Sequence, residues 1–101
     1  PILTCGGLQL NLLEHRVVVE GREVKLTPTE YELLKVMLKY AGRVLTHKQL
    51  LKAVWGNEYD TDTHYIRIYM RQLRRKIEPD PAQPKYLITE AGIGYRLLGG
   101  E

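Results

Sequence analysis

Five cations, Arg67, Arg71, Arg74, Arg75 and Lys76, stand between Thr63 and Ile77 without one aspartate or glutamate among them. Guanidinium groups are planar, permanently charged and able to donate two parallel hydrogen bonds, which suits them to phosphate oxygens. Interleaved with them are His64, Tyr65, Ile68, Tyr69 and Gln72. An amide such as Gln72 can pair with a base edge, and an aliphatic group such as Ile68 can meet a thymine methyl. The whole chain carries a net charge of only +3, so the residues outside this segment sum to a negative charge. Positive charge concentrated in one stretch is the footprint of a surface that docks onto a polyanion.

Other chemistries are poorly supplied. His15, His47 and His64 fall on three separate elements without metal-ligand spacing, and each reads as a surface residue. No Cys/His cluster, glycine-rich phosphate loop or nucleophile motif is present, so neither enzymatic activity nor a metal or cofactor is expected. Asp60 and Asp62 read as a solvated loop, with too few oxygen ligands for a cation. Cys5 is the sole cysteine and forms no internal disulfide, in keeping with a reducing compartment. No apolar run approaches the roughly 18 residues of a membrane span, and no secretory signal opens the chain. A cytoplasmic protein without membrane contact is expected, its 101 residues forming one domain.

The cationic segment needs a helix to present it. Ile66, Met70, Leu73 and Ile77 recur at helical spacing and define an inward stripe. At about 100° per residue, His64, Ile68, Arg71 and Arg75 fall opposite, flanked by Tyr65 and Gln72 on one side and Arg67 and Arg74 on the other. This helix runs from about Asp62 to Ile77, is capped by Thr61 or Asp62, and is stopped by Glu78-Pro79-Asp80-Pro81. Two helices precede it. Thr27, Pro28 and Glu30 form a capping box that opens a stripe of Tyr31, Leu34, Met37, Leu38 and Ala41, stopped by Gly42. Thr46 and Gln49 form the second box, ahead of Leu50, Leu51, Val54 and a core Trp55, with Gly56 as the stop.

Strands flank the helices. Leu8, Leu10 and Leu12 alternate with polar residues; Arg16 to Glu20 is valine-rich; and Gly21-Arg22 turns into Glu23 to Leu26, with Ile2 to Thr4 available as an edge. At the other end, Tyr86 to Thr89 and Tyr95 to Leu98 form a hairpin about a turn containing Gly92 and Gly94.

The motifs L-T-P-T-E-Y-E-L-L (Leu26 to Leu34), G-R-V-L-T-H-K-Q-L-L (Gly42 to Leu51), V-W-G (Val54 to Gly56), Y-I-R-I-Y-M-R-Q-L-R-R-K-I-E-P-D (Tyr65 to Asp80) and G-I-G-Y-R-L (Gly92 to Leu97) stand together. In them the chain resembles, over essentially its whole length, the effector domain of OmpR/PhoB-type bacterial response regulators. Its third helix and its ending look most like the KdpE branch, which controls a potassium-uptake operon. The resemblance implies an α+β winged helix-turn-helix: an N-terminal four-stranded antiparallel sheet, three helices and a C-terminal β-hairpin wing. It implies duplex DNA as partner, with Tyr65, Ile68 and Gln72 facing bases and His64, Tyr69, Arg71 and Arg74 facing phosphates. Arg67 and Arg75 join them by their place on the helix. Thr89 matches a wing position near the DNA backbone, and Arg96 lies in the shared G-Y-R motif.

The segment holding Asn57, Glu58, Tyr59 and Asp60 matches a loop through which such regulators touch RNA polymerase. Many members carry an arginine just before the wing's first glycine; here Ala91 follows Glu90, so the wing is expected to add less to minor-groove readout. The chain lacks a receiver domain, and its start at Pro1 favours an excised output domain over a stand-alone binder. Two copies bound head to tail on direct repeats are expected, roughly 10 to 11 base pairs apart. A protein-binding winged helix is the rival reading, and a flat salt response would favour it.

Overall fold

Alternation of apolar and polar residues folds the first quarter of the chain into four antiparallel strands, β1 (Ile2–Cys5), β2 (Leu8–Asn11), β3 (Arg16–Val19) and β4 (Arg22–Val24), adjacent in that order. The register sets Leu8 against Val19 and Leu10 against Val17, so one face of the sheet is a continuous apolar surface. The turn before β4 is Glu20-Gly21, one residue earlier than expected. Both residues have positive φ, 49° and 81°, which is the conformation that twists a two-residue hairpin correctly. Leu12 lies beyond β2 and is exposed, so the alternation stops at Asn11. The computed structural model describes residues 1–56 and 63–99.

Both capping boxes form. In α1 (Pro28–Lys39), the Glu30 amide donates to Thr27 Oγ1 at 3.3 Å and the Thr27 amide donates to Glu30 Oε1 at 2.8 Å. In α2 (His47–Trp55), the Gln49 amide donates to Thr46 Oγ1 at 3.0 Å, and the Thr46 amide donates to Gln49 Oε1 at 2.9 Å. Gly56 caps α2 with φ 84°. Helix α1 ends before Gly42: Tyr40 is its C-cap and Ala41 is exposed, outside the apolar stripe. Helix α3 (Thr63–Ile77) buries Ile66, Met70, Leu73 and Ile77 almost completely, as their spacing requires. The expected caps, Thr61 and Asp62, lie outside the described residues.

The C-terminal hairpin, β6 (Leu87–Glu90) and β7 (Gly94–Leu97), gains a strand that the sequence reading missed. Val44–Thr46, just before α2, forms β5 and pairs antiparallel with β7, giving the order β5-β7-β6. Gly94 permits this approach, because a Cβ there would lie 1.9 Å from the Leu45 carbonyl oxygen. The two sheets sandwich the helices around a shared core in which Leu8, Leu33, Leu34, Leu50, Leu73 and Leu87 are fully buried. The result is a winged helix-turn-helix with α3 lying beside its hairpin wing.

Candidate nucleic-acid interface

Burial of the Ile66-to-Ile77 stripe turns the opposite side of α3 to solvent, and the predicted residues divide there by environment. His64, Arg67, Arg71, Gln72 and Arg75 are exposed, as are Tyr65 and Ile68, at 51% and 40%. Two large apolar side chains left open in a cationic surface are what a base-reading face needs. Tyr69 is half-buried, its ring 5.4 Å from that of Trp55. Trp55 itself is half-buried at the edge of the core and not a central anchor. Arg67, Arg71 and Arg75 have no ion-pair partner among the described residues. Arg71, Arg74 and Arg75 line, with Pro81 and Ala82, an open concavity of about 400 Å³.

Two of the five cations are engaged within the fold. Lys76 Nζ donates to Glu30 Oε1 at 2.5 Å, where Glu30 is only 1% exposed, so this charge is neutralised by α1. Arg74 turns toward the wing. Its Nε and Nη2 both donate to the Leu87 carbonyl, at 3.0 and 2.7 Å, and Nη2 also donates to Thr89 Oγ1 at 2.6 Å. Its guanidinium carbon lies 5.9 Å from the Tyr95 ring centroid. Burial pushes the Tyr95 phenol above its ordinary value, partly countered by Arg74 and then Arg67. Helix α3 thus presents Arg67, Arg71 and Arg75 unpaired among the described residues, while Arg74 fixes the wing against it.

The wing carries its own neutralisation. Arg96, on β7, pairs with Glu90 on β6 at 3.2 Å, and its buried Nε has no hydrogen-bond partner among the described residues. Its charge is therefore less available to a polyanion than the G-Y-R resemblance implied. The turn Ala91–Ile93 exposes Ile93 at 55%, with Gly92 at φ 75°, so the wing tip is apolar where a cationic probe is common. Thr89 is exposed on the same hairpin. The loop residues Asn57, Glu58, Tyr59 and Asp60 lie outside the described residues.

Glu78, which the sequence marks only as part of a helix stop, is 4% exposed and organises this site. Its carboxylate accepts from three successive backbone amides, Lys85 at 2.9 Å, Tyr86 at 3.2 Å and Leu87 at 2.8 Å. No side-chain pattern announces a carboxylate whose partners are backbone amides seven to nine residues away. Positive charge is also less confined than the segment count suggested: Lys35 to Asn57 holds five Lys or Arg and no acid.

The family described as "Transcriptional regulatory protein, C terminal" matches residues 21–97. The transcriptional regulatory protein KdpE of Mycobacterium tuberculosis is 45% identical over 96 residues, 95% of this chain and 42% of that protein. The KDP operon transcriptional regulatory protein KdpE of Escherichia coli is 54% identical over 99 residues, 97% of this chain and 44% of that protein. The chain therefore spans less than half the length of these relatives. Among solved structures, the Thermotoga maritima response regulator DrrB, an OmpR/PhoB homolog, superposes with a TM-score of 0.86 at 28% identity, covering 97% of this chain and 44% of that one. The Klebsiella pneumoniae RstA DNA-binding domain, solved in complex with RstA box, superposes at 0.87 over 97% of both chains; at 22% identity it shows the fold alone.

Proposed function

We propose, on the premise that this chain belongs to the family of C-terminal domains of transcriptional regulatory proteins, that its α3 enters the major groove of an operator at a potassium-transport promoter. The chain is a DNA-binding output domain of the OmpR/PhoB response-regulator class, and not an enzyme. The observation that carries the finer reading is the outward face of α3, where Arg67, Arg71 and Arg75 meet no carboxylate among the described residues and flank exposed Tyr65, Ile68 and Gln72. Uncompensated like charges repel along a helix, and phosphates at either groove edge relieve that cost.

In this reading Tyr65, Ile68 and Gln72 meet base edges. His64, Arg67, Tyr69, Arg71 and Arg75 meet phosphates, joined across the wing by Arg74 and Thr89, with Arg96 as the weakest contributor. Residues 1–101 act as one domain in the cytoplasm, two copies bind in tandem, and the loop from Asn57 to Asp60 meets RNA polymerase. Control by phosphorylation would come from a receiver domain elsewhere in the full protein.

The test is duplex binding across a salt series. Five or six neutralised phosphates give a slope of log affinity on log salt of about −4 to −6, at roughly −0.9 per phosphate. Selection from a random duplex pool should then return direct repeats about 10 to 11 base pairs apart, enriched in potassium-transport promoters. A flat salt response, or no binding to the pool at low salt, would overturn the reading.

A further inference from the structure

On the side of α2 turned away from α3, a concavity of about 740 Å³ lies between the end of α1, the strand β5 and α2. Val36, Leu45 and Ala53 form an apolar floor, and Tyr40, Arg43 and Lys52 stand around it. Two of its large apolar residues are open to solvent, Tyr40 at 39% and Val44 at 37%, and Ala53 is exposed as well. Strand β5 is moreover an edge of its sheet, paired with β7 on one side only.

The charge around this groove is one-sided. The stretch from Lys35 to Asn57 supplies its cations and contains no acid, and the nearest acid on α1, Glu32, is held by Lys35 at 3.0 Å. Lys39, Arg43 and Lys52 have no ion-pair partner among the described residues. Lys39 and Lys52 sit in the last turns of their helices, where a cation complements the helix dipole. Arg43 lies outside any helix, so that explanation does not cover it. The fold sets Arg43 and Lys52 in the lining of an apolar trough, and no carboxylate among the described residues pairs with either.

The geometry points to a protein-docking groove for a short segment of a partner, with an apolar anchor on Val36, Val44 and Ala53 and acidic residues against Arg43 and Lys52. Nucleic acid fits it less well, because phosphates gain nothing from an apolar floor, whereas an amphipathic acidic segment satisfies both features. No residue of α3 lines the groove, so DNA and this partner would be held together. A regulator bound to its operator would thereby recruit a second protein through a surface that α3 does not share.

The experiment uses an amphipathic peptide with leucine on one helical face and glutamate on the other, a scrambled peptide of the same composition, and a mixed-sequence duplex. The domain is followed by amide NMR. The amphipathic peptide should bind saturably, shift Val36, Val44 and Ala53, and lose about tenfold or more in affinity in an Arg43→Gln/Lys52→Gln variant. Val44→Ser should weaken it separately. The same variants should keep duplex affinity within about twofold. Absence of peptide binding, equal binding of the scrambled peptide, or duplex DNA shifting the groove residues in place of α3 would each overturn the groove. A domain that bound the peptide but no duplex would instead count against α3 as the DNA-reading helix.

Discussion

Arg74 and Thr89 are joined across the gap between α3 and the wing, Nη2 to Oγ1 at 2.6 Å. The same guanidinium holds the carbonyl of Leu87, while the Leu87 amide is held by Glu78 at 2.8 Å. Both backbone groups of one wing residue are thus bonded to side chains from the end of α3. Helix and hairpin are thereby fixed relative to each other, which lowers the ordering cost of any ligand that spans both.

Arg74 and Thr89 should therefore behave as one unit. The Thr89 hydroxyl has a single hydrogen, and because its oxygen already accepts from Arg74, that hydrogen is free to be donated outward to a phosphate. Thr89→Val removes the donor without changing charge, so duplex affinity should fall several-fold at an unchanged salt slope. Arg74→Lys keeps the charge but loses the fork. Combined, the two substitutions should cost less than the sum of their separate effects, by about 1 kcal/mol. Strict additivity would mean that Arg74 meets DNA independently of the wing.

Glu78 should prove more important to stability than its surface-like sequence context suggests. Its two oxygens serve three amides in a nearly water-free place, and Glu78→Gln would turn one of them into a donor facing N–H groups. An unsatisfied buried group with lost charge-assisted bonds costs about 2 to 3 kcal/mol. The check is the urea midpoint at constant m, with amide hydrogen exchange accelerating first at Lys85, Tyr86 and Leu87. A midpoint unchanged in Glu78→Gln would show that water replaces the carboxylate there.

These two residues also mark what the sequence could not express. Local grammar was readable: Thr27 with Glu30 and Thr46 with Gln49 each encode a helix start within four residues, and the Ile66-to-Ile77 stripe fixes which way α3 faces. Strand β5 was not, because Val44–Thr46 is three residues long and owes its existence to Gly94, some fifty positions away. The same holds for Arg74, which the helical wheel placed on the outer face. Only the fold shows that Leu87 and Thr89 come within its reach. Patterns encode periodicity and caps, whereas side chains that bond distant backbone leave no periodic trace.

Positioning and reading should separate along α3. Arg71 is exposed and unpaired among the described residues, so Arg71→Ala should weaken all duplexes alike and reduce the salt slope by about one. Exposed Gln72 carries no charge, and Gln72→Ala should relax preference at one base pair, by about 1 to 3 kcal/mol, at an unchanged slope. Binding to a library of operator variants distinguishes the two, and identical profiles would refute the division.

Acid should loosen the join between the first sheet and the wing in a definable window. Tyr86 Oη donates to Glu20 Oε2 at 2.7 Å, and Lys85 Nζ pairs with the same oxygen at 3.0 Å. The Tyr86 hydrogen bond, then that of Lys85, holds the Glu20 carboxyl below its ordinary 4.5. A carboxyl with a depressed folded value stabilises the fold above its unfolded value, and that contribution disappears as pH falls through the lower, folded one. Tyr86 is shifted the other way: burial first, then Glu20, raises its phenol above 10.0, so its share persists below 10.0 and disappears as alkali ionises the ring. Glu20 is 45% exposed, so solvent screening keeps the acid effect modest. Tyr86→Phe should therefore lower the urea midpoint near neutrality, and the gap to the parent chain should narrow as pH drops below 4.5. A gap that stayed constant through that range would show that the bond does not depend on the charge of Glu20.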